Sequence, residues 1–313
     1  MRFVGAAEID RVLDYPSLIE ALRQTFAGGA VVAPARHHHP ITRPGASEAV
    51  LILMPAWQEA NGFTGVKIVS VFPDNAARGK PSVMGIYLLL AGDSGEPLAT
   101  LDGQALTLWR TAAASALAAQ ALARPDASRM AMIGAGALAP RLIAAHAAVR
   151  PIREVIIWNR TAERAQRLAA TLDRPRLRVT ASEDLAATIG SADIVSVATL
   201  ANEPLVKGAW LKSGAHVDLV GAYTPQMREA DDEAIRRARV YVDTRGGMKE
   251  SGDIAQPLAS GALSEADIAG DLFDIARGTA ARRSVDEITL FKSVGNAIED
   301  LAAAVHVWKR ANG

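Results

Sequence analysis

The sequence predicts an α/β protein: a doubly wound parallel sheet joined to a mixed α+β domain. Three observations carry this. From residue 129 onward, short apolar runs alternate with helical stretches at regular intervals, as in a parallel sheet covered on both faces. Upstream, residues 31–100 hold long strand-like runs separated by turn-forming segments, with few crossovers. The final stretch, "LFKSVGNAIEDLAAAVHVWKRA", reads as a helix with no strand after it. It is expected to return to the first domain and make that domain discontinuous.

Taken in order, Asp14 and Pro16 mark a helix start, and "SLIEALRQTF" continues it to Gly28-Gly29. "AVLILMPA", "FTGVKIVSVF" and "VMGIYLLLAG" are the strands of the mixed domain, parted by "RPGAS", "PDNAARGKPS" and "GDSGEP". Asp102 caps an alanine-rich helix, "GQALTLWRTAAASALAAQALA", which stops before Pro125. Beyond "RPDAS", the strands "RMAMIG", "EVIIW", "RLRVT", "DIVSVAT", "AHVDLVG" and "RVYVD" alternate with helices such as "ALAPRLIAAHAAV" and "AERAQRLAATL". The expected domains are therefore 1–125 with 293–313, and 126–292.

Bulk composition removes several function classes. Lys+Arg and Asp+Glu both number 34, so there is no basic excess for nucleic acid, and no such partner is expected. The absence of cysteine excludes disulfides, thiolate metal sites and a cysteine nucleophile. "MRFVGAAEIDRVLDYP" lacks the apolar core of a signal peptide, and no run of 18 apolar residues suggests a membrane span. A cytoplasmic protein without membrane partners is the expectation.

Gly134, Gly136 and Ala139 in "AMIGAGALAPR" match the Rossmann pattern G-x-G-x-x-G/A, with Ala137 in the same turn. The first glycine permits the tight turn, the second lets backbone approach a pyrophosphate, and the third small residue lets helix and strand pack closely. The helix start behind them offers free N–H groups to phosphate. At the end of the next strand an acid would grip the ribose 2′-hydroxyl. Here "WNRTAER" supplies Asn159 and Arg160 instead. An amide and a guanidinium suit a 2′-phosphate, and Thr161 and Arg164 add a hydroxyl and a second charge. The expected cofactor is NADP(H), with NAD(H) as the alternative; a solvated turn with a salt-bridged arginine is the plainer reading.

Two cations occupy apolar surroundings. Lys67 shares a strand face with Val69 and Val71, and Arg110 lies in "ALTLWRTAAASALAA". A buried unpaired cation is costly, so each needs an acid, a route to water or a bound anion. The flanking sequence is short of acids, which favours an anion brought in, such as a small carboxylate substrate. Arg36, in "PARHHHPIT", is a third candidate. His37, His38 and His39 cannot converge on one metal from an extended strand, because alternate side chains face opposite ways. No metal site is expected.

"LMPA", "GVKIVSVFPDNAARGKPS", "GEPLATLDGQALTLWRTAAASALAAQALARPDA", "MIGAGA", "ADIVSVAT", "VGAYTPQMREADD" and "FKSVGNAIEDLAAA" together resemble the ornithine cyclodeaminase/mu-crystallin family, over nearly the full chain. The resemblance implies a homodimer formed through the mixed substrate-binding and dimerisation domain, a Rossmann domain carrying NAD(P), and an active site in the cleft between them. It implies that Lys67, Arg36 and Arg110 hold a substrate carboxylate and that Thr111 touches cofactor phosphate. Thr199 and Val220 would line the path from adenine to nicotinamide, with Asn296 near the nicotinamide or substrate.

Ornithine cyclodeaminases of the family carry a glutamate where this chain has Ile52, and an aspartate in a block that here reads Gly221-Ala222-Tyr223-Thr224-Pro225. Without those acids the δ-ammonium of ornithine lacks a partner. The "AYTPQMRE" form is instead similar to the branch that reduces Δ1-pyrroline-2-carboxylate and Δ1-piperideine-2-carboxylate to proline and pipecolate. Lys67 is the first candidate for proton donor, with Tyr223 or water as alternatives. The rival readings are ornithine cyclodeamination, reductive amination of the alanine dehydrogenase kind, and a non-enzymatic NADPH-binding protein of the crystallin kind.

Overall fold

The structure, a computed structural model, describes residues 1–60 and 62–312. It divides into two compact units, Met1–Arg110 with Asn296–Gly313, and Thr111–Gly295.

The first unit contains β1 (Arg2–Val4), α1 (Ala6–Val12), α2 (Tyr15–Gly28), β2 (Val31–Val32), β3 (His37–Ile41), β4 (Ala49–Gln58), β5 (Phe63–Val71), β6 (Val83–Ala91) and β7 (Pro97–Asp102). Helix α3 (Gly103–Leu122) follows. The sheet runs β1-β7-β6-β5-β4-β2, with β3 also on β4, and every pairing except β1 with β7 is antiparallel. The expected helix signals are realised: the Asp14 carboxylate accepts from the Ser17 N–H at 2.8 Å, and Asp102 accepts from the Ala105 N–H at 2.8 Å.

Period-two alternation gives this sheet two different faces. One buried row runs across Met54, Lys67, Tyr87 and Leu101, directly opposite one another on β4, β5, β6 and β7. On the other face, Leu53, Ile68 and Ile86 form one row and Val66, Leu88, Thr100 and Phe3 another, all partly or largely exposed.

The second unit holds β8 (Arg129–Ile133), α4 (Ala139–Val149), β9 (Glu154–Trp158), α5 (Ala162–Leu172), β10 (Arg178–Ser182), α6 (Leu185–Ser191), β11 (Ile194–Val197), β12 (His216–Leu219), α7 (Asp232–Arg237), β13 (Ala238–Val242), α8 (Gly252–Ser260), β14 (Ile268–Gly270), α9 (Leu272–Ala276) and β15 (Ile288–Lys292). Its sheet is parallel throughout, in the order β10-β9-β8-β11-β12-β15-β13-β14. The order reverses between β8 and β11, so the carboxyl ends of those strands border the crevice where doubly wound folds take ligands.

Two sequence expectations need correction. Residues 290–292 are not helical but belong to β15, a fully buried strand between β12 and β13. Its residues are buried on both faces, as in a central parallel strand. Helix α10 (Ala297–Asn312) begins only after Gly295, whose φ is 74°. The division between units also falls inside α3 rather than after it. The carbonyls at the end of α3 and just past it are bound within the second unit: Arg150 donates to Gln120 and Ala123, and Arg282 to Leu122. Among the described residues no helix is long and apolar enough to cross a membrane.

Candidate active site

In the first unit, Lys67 and Arg110 are both sealed from solvent, at 3% and 5% exposure. They are not short of acids. Helix α10 delivers Glu299 and Asp300, each wholly buried. Lys67 Nζ donates to Asp300 Oδ1 at 2.9 Å and lies 2.7 Å from Oδ2. Arg110 Nε donates to Asp300 Oδ1 at 2.9 Å and Nη1 to Glu299 Oε2 at 2.8 Å. The acids come from a helix about two hundred residues downstream, so the residues flanking each cation bear no sign of them.

Asn296 organises this helix start. Its Oδ1 accepts from the N–H groups of Ile298 and Glu299, and its Nδ2 donates to Glu299 Oε1 at 3.0 Å. An asparagine cap thereby aims the two acids at the two cations. Arg36, half-buried just before β3, adds a third positive charge that acts on Lys67. Tyr87 sits opposite Lys67 over Gly65, and its buried hydroxyl makes no hydrogen bond among the described residues.

Electrostatics follow from that crowding. Burial, then Arg110, then Arg36 push the Lys67 ammonium down to about 8 against the pull of Asp300. Burial alone would raise Asp300, but Arg110 and Lys67 outweigh it and hold the carboxyl below its ordinary value. Arg110 is raised: burial opposes its charge, and Asp300 and Glu299 more than restore it. Lys67 and Arg110 thus converge on one carboxylate, with Glu299 also on Arg110 and Arg36 adding to the positive field at Lys67.

The second unit presents the glycine turn at the carboxyl end of β8. Gly134 has φ 108°, and a Cβ there would lie 2.5 Å from the Ala198 carbonyl oxygen, so this position requires glycine. At Gly136 a Cβ would meet nothing within 4 Å, which leaves the backbone open to an approaching ligand. Ala139 opens α4, and no side chain caps that helix start. Asn159 Oδ1 accepts from the Ala135 N–H at 3.2 Å, and its Nδ2 donates to the Thr161 carbonyl at 2.9 Å. The amide therefore ties the glycine turn to the start of α5. Arg160, Thr161 and Arg164 are exposed there, and neither arginine forms an ion pair among the described residues. An open glycine turn, a bare helix start and two uncommitted guanidiniums fit a phosphorylated dinucleotide.

The remaining expected residues are distributed as follows. Thr111 is nearly buried on α3. Thr199 and Val220 follow β11 and β12, and the Val220 N–H donates to Val197. Tyr223 is 44% exposed in the loop after β12, and Ile52 is half-buried within β4. His37, His38 and His39 are exposed on β3, with His37 and His39 stacked edge to face at 6.4 Å.

Sequence reasoning missed five acids and bases: Glu299 and Asp300, and in the second unit Glu229, Asp253 and Lys292. A signal existed. "AIEDLAAAV" places two adjacent acids in an apolar helix, the same anomaly that singled out Lys67 and Arg110.

The family model for the ornithine cyclodeaminase/mu-crystallin family matches residues 6–313. A Δ1-pyrroline-2-carboxylate reductase of Paracoccus denitrificans is 39% identical, covering 98% of this chain and 96% of its own. The ketimine reductase mu-crystallin of Mus musculus is 35% identical over 98% and 96%. Among solved structures, the Thermococcus litoralis Δ1-pyrroline-2-carboxylate reductase in complex with NADH and L-proline superposes with a TM-score of 0.93 at 32% identity, covering 100% and 98%. With a family match along almost its whole length and relatives of this similarity, the chain belongs to the ornithine cyclodeaminase/mu-crystallin family.

Proposed function

We propose that this protein reduces cyclic ketimine carboxylates with NADPH, converting Δ1-pyrroline-2-carboxylate to L-proline and Δ1-piperideine-2-carboxylate to L-pipecolate. The observation that carries the reading is the pair of buried cations, Lys67 and Arg110, gathered on Asp300, with Arg36 adding its positive field at Lys67. Two converging cations of this kind suit one small carboxylate. Similarity to imine reductases supports the reaction class, and the Thermococcus litoralis relative binds L-proline, the product expected here.

In this reading Lys67 and Arg110 hold the ring carboxylate and so orient the imine carbon, a positioning contribution. A bound nicotinamide supplies the hydride that carbon accepts. Lys67 Nζ, at about 8, is charged at neutral pH yet gives up a proton readily, so it protonates the imine nitrogen. The carbon gains a hydride and the nitrogen a proton, which completes the amine. Asp300, pinned by Arg110, holds the Lys67 side chain in place before and after it gives up that proton.

Arg160 and Arg164, with Asn159 in place of an acid, support NADPH over NADH. Ile52 and Tyr223 offer no carboxylate for the δ-ammonium of ornithine, which disfavours cyclodeamination. The apolar sheet face of Leu53, Ile68, Ile86, Val66, Leu88 and Phe3 supports a homodimer formed through the first unit. Initial rates of NADPH and NADH oxidation with both imine acids, beside ammonia release from ornithine, test the reading. Imine-dependent NADPH oxidation without ammonia release is expected; ammonia release alone would refute it.

A further inference from the structure

The carboxylate of Glu229, which lies in the loop leading into α7, is wholly buried beside the carboxyl ends of β11 and β12. Its Oε1 accepts from the backbone N–H and the hydroxyl of Thr199, at 2.8 and 2.9 Å. Its Oε2 accepts from the N–H groups of Gly221 and Ala222, at 2.8 and 3.2 Å. Four donors converge on one side chain, two from the turn after β11 and two from the turn after β12. Gly221 shows how tightly those turns meet, since a Cβ there would overlap the Thr199 backbone. Thr199 in turn borders the glycine turn, its Cγ2 3.3 Å from where a Gly134 Cβ would stand.

Glu229 is itself held on both sides. Asp253 of α8 accepts from the Glu229 N–H at 2.7 Å and the Ala230 N–H at 3.1 Å. Lys292, at the end of β15, lies 3.0 Å from Asp253 Oδ2 and 3.8 Å from Glu229 Oε2. A buried carboxylate that accepts four hydrogen bonds fixes the groups that donate them, which offsets its desolvation.

We propose that Glu229 is a positioning residue that clamps the turns after β11 and β12 into the floor on which the nicotinamide half of the dinucleotide rests. The proposal deepens the nucleotide reading given above and rests on it. The adenine half, over Gly134, Gly136 and Arg160, depends on a different turn and is left alone by the clamp. Replacing the carboxylate by an amide turns one acceptor into a donor that faces donors, so Glu229→Gln loosens one of the two turns while conserving shape. Burial, with help from Asp253, raises Glu229 to about 7 against the pull of Lys292. Protonation below that value has the same effect as the amide.

The test compares wild type, Glu229→Gln and Lys292→Met in the full chain by titration with NADPH, NADH and the fragments 2′,5′-ADP and ADP, from pH 6 to 9. In Glu229→Gln the dissociation constant for the whole dinucleotide should rise about tenfold or more, as expected for a buried donor left unpaired, with fragment affinity unchanged. Wild-type affinity relative to that variant should fall as pH drops below about 7, and Lys292→Met should move that fall to higher pH. Wild-type affinity and pH profile in Glu229→Gln would overturn the clamp, as would an equal loss of dinucleotide and fragment. A wild-type protein that binds none of the four probes would instead overturn the nucleotide reading, and the clamp with it.

Discussion

The Lys67 ammonium stands 2.7 Å from the Asp300 carboxylate, joining strand β5 to helix α10 across 233 residues of sequence. Both groups are buried, and Arg110 shares the same carboxylate. Removing one partner of such a network leaves uncompensated charge in a medium of low polarity, which costs about 3–5 kcal/mol. Asp300→Asn should therefore lower the unfolding free energy by roughly 3 kcal/mol, read from the urea midpoint. An unchanged midpoint would mean that water reaches the pair.

Lys67→Met removes a cation but leaves Asp300 paired with Arg110, so the fold should survive. A lost charge-assisted hydrogen bond is worth about 1.5–3 kcal/mol, or roughly ten- to hundredfold in affinity for a carboxylate ligand such as proline. In the wild type that affinity should fall as pH rises through about 8, where Lys67 loses its proton. Because a bound carboxylate favours the ammonium, binding near and above that pH should take up a proton, detectable as a buffer-dependent calorimetric heat. Lys67→Met should show neither the fall nor the uptake; retention of both would assign the titration to another group.

Arg160→Ala should raise the Michaelis constant for NADPH about tenfold or more, the value of a charged hydrogen bond, and leave that for NADH nearly unchanged. Asn159→Asp should be worse for NADPH. The new carboxylate would repel a phosphate and would face the Thr161 carbonyl that the amide now donates to. Equal effects on both nucleotides would remove the case for a 2′-phosphate site.

Legibility in the sequence tracked how local each feature was. Asp14, Asp102 and the glycines of "GAGA" act on their own turns, so the helix starts and the nucleotide turn could be read directly. Lys67 and Arg110 stood out because their surroundings were apolar, yet Glu299 and Asp300 reach them only through tertiary packing. Strand β15 went unread because its few buried residues run into a long helix, and apolar runs that short lack a distinguishing period. Glu229 sat among charged neighbours in "MREADD", where nothing marks one acid as buried.

The outer face of the first unit's sheet makes a separate prediction. Ile86 is 43% exposed and directly opposite Ile68, which is directly opposite Leu53. An Ile86→Asp substitution should convert a dimer into monomer by light scattering, because a charge desolvated at an apolar interface is costly. A variant that stays dimeric would place the subunit contact elsewhere.

The proposed chemistry is decided by a crystal structure with NADP⁺ and L-proline bound. The proline carboxylate should lie within hydrogen-bond distance, about 3 Å, of Lys67 Nζ and the Arg110 guanidinium, with its α-carbon facing the nicotinamide C4. Proline bound away from Lys67 and Arg110, or those two side chains turned from the nicotinamide ring, would contradict it.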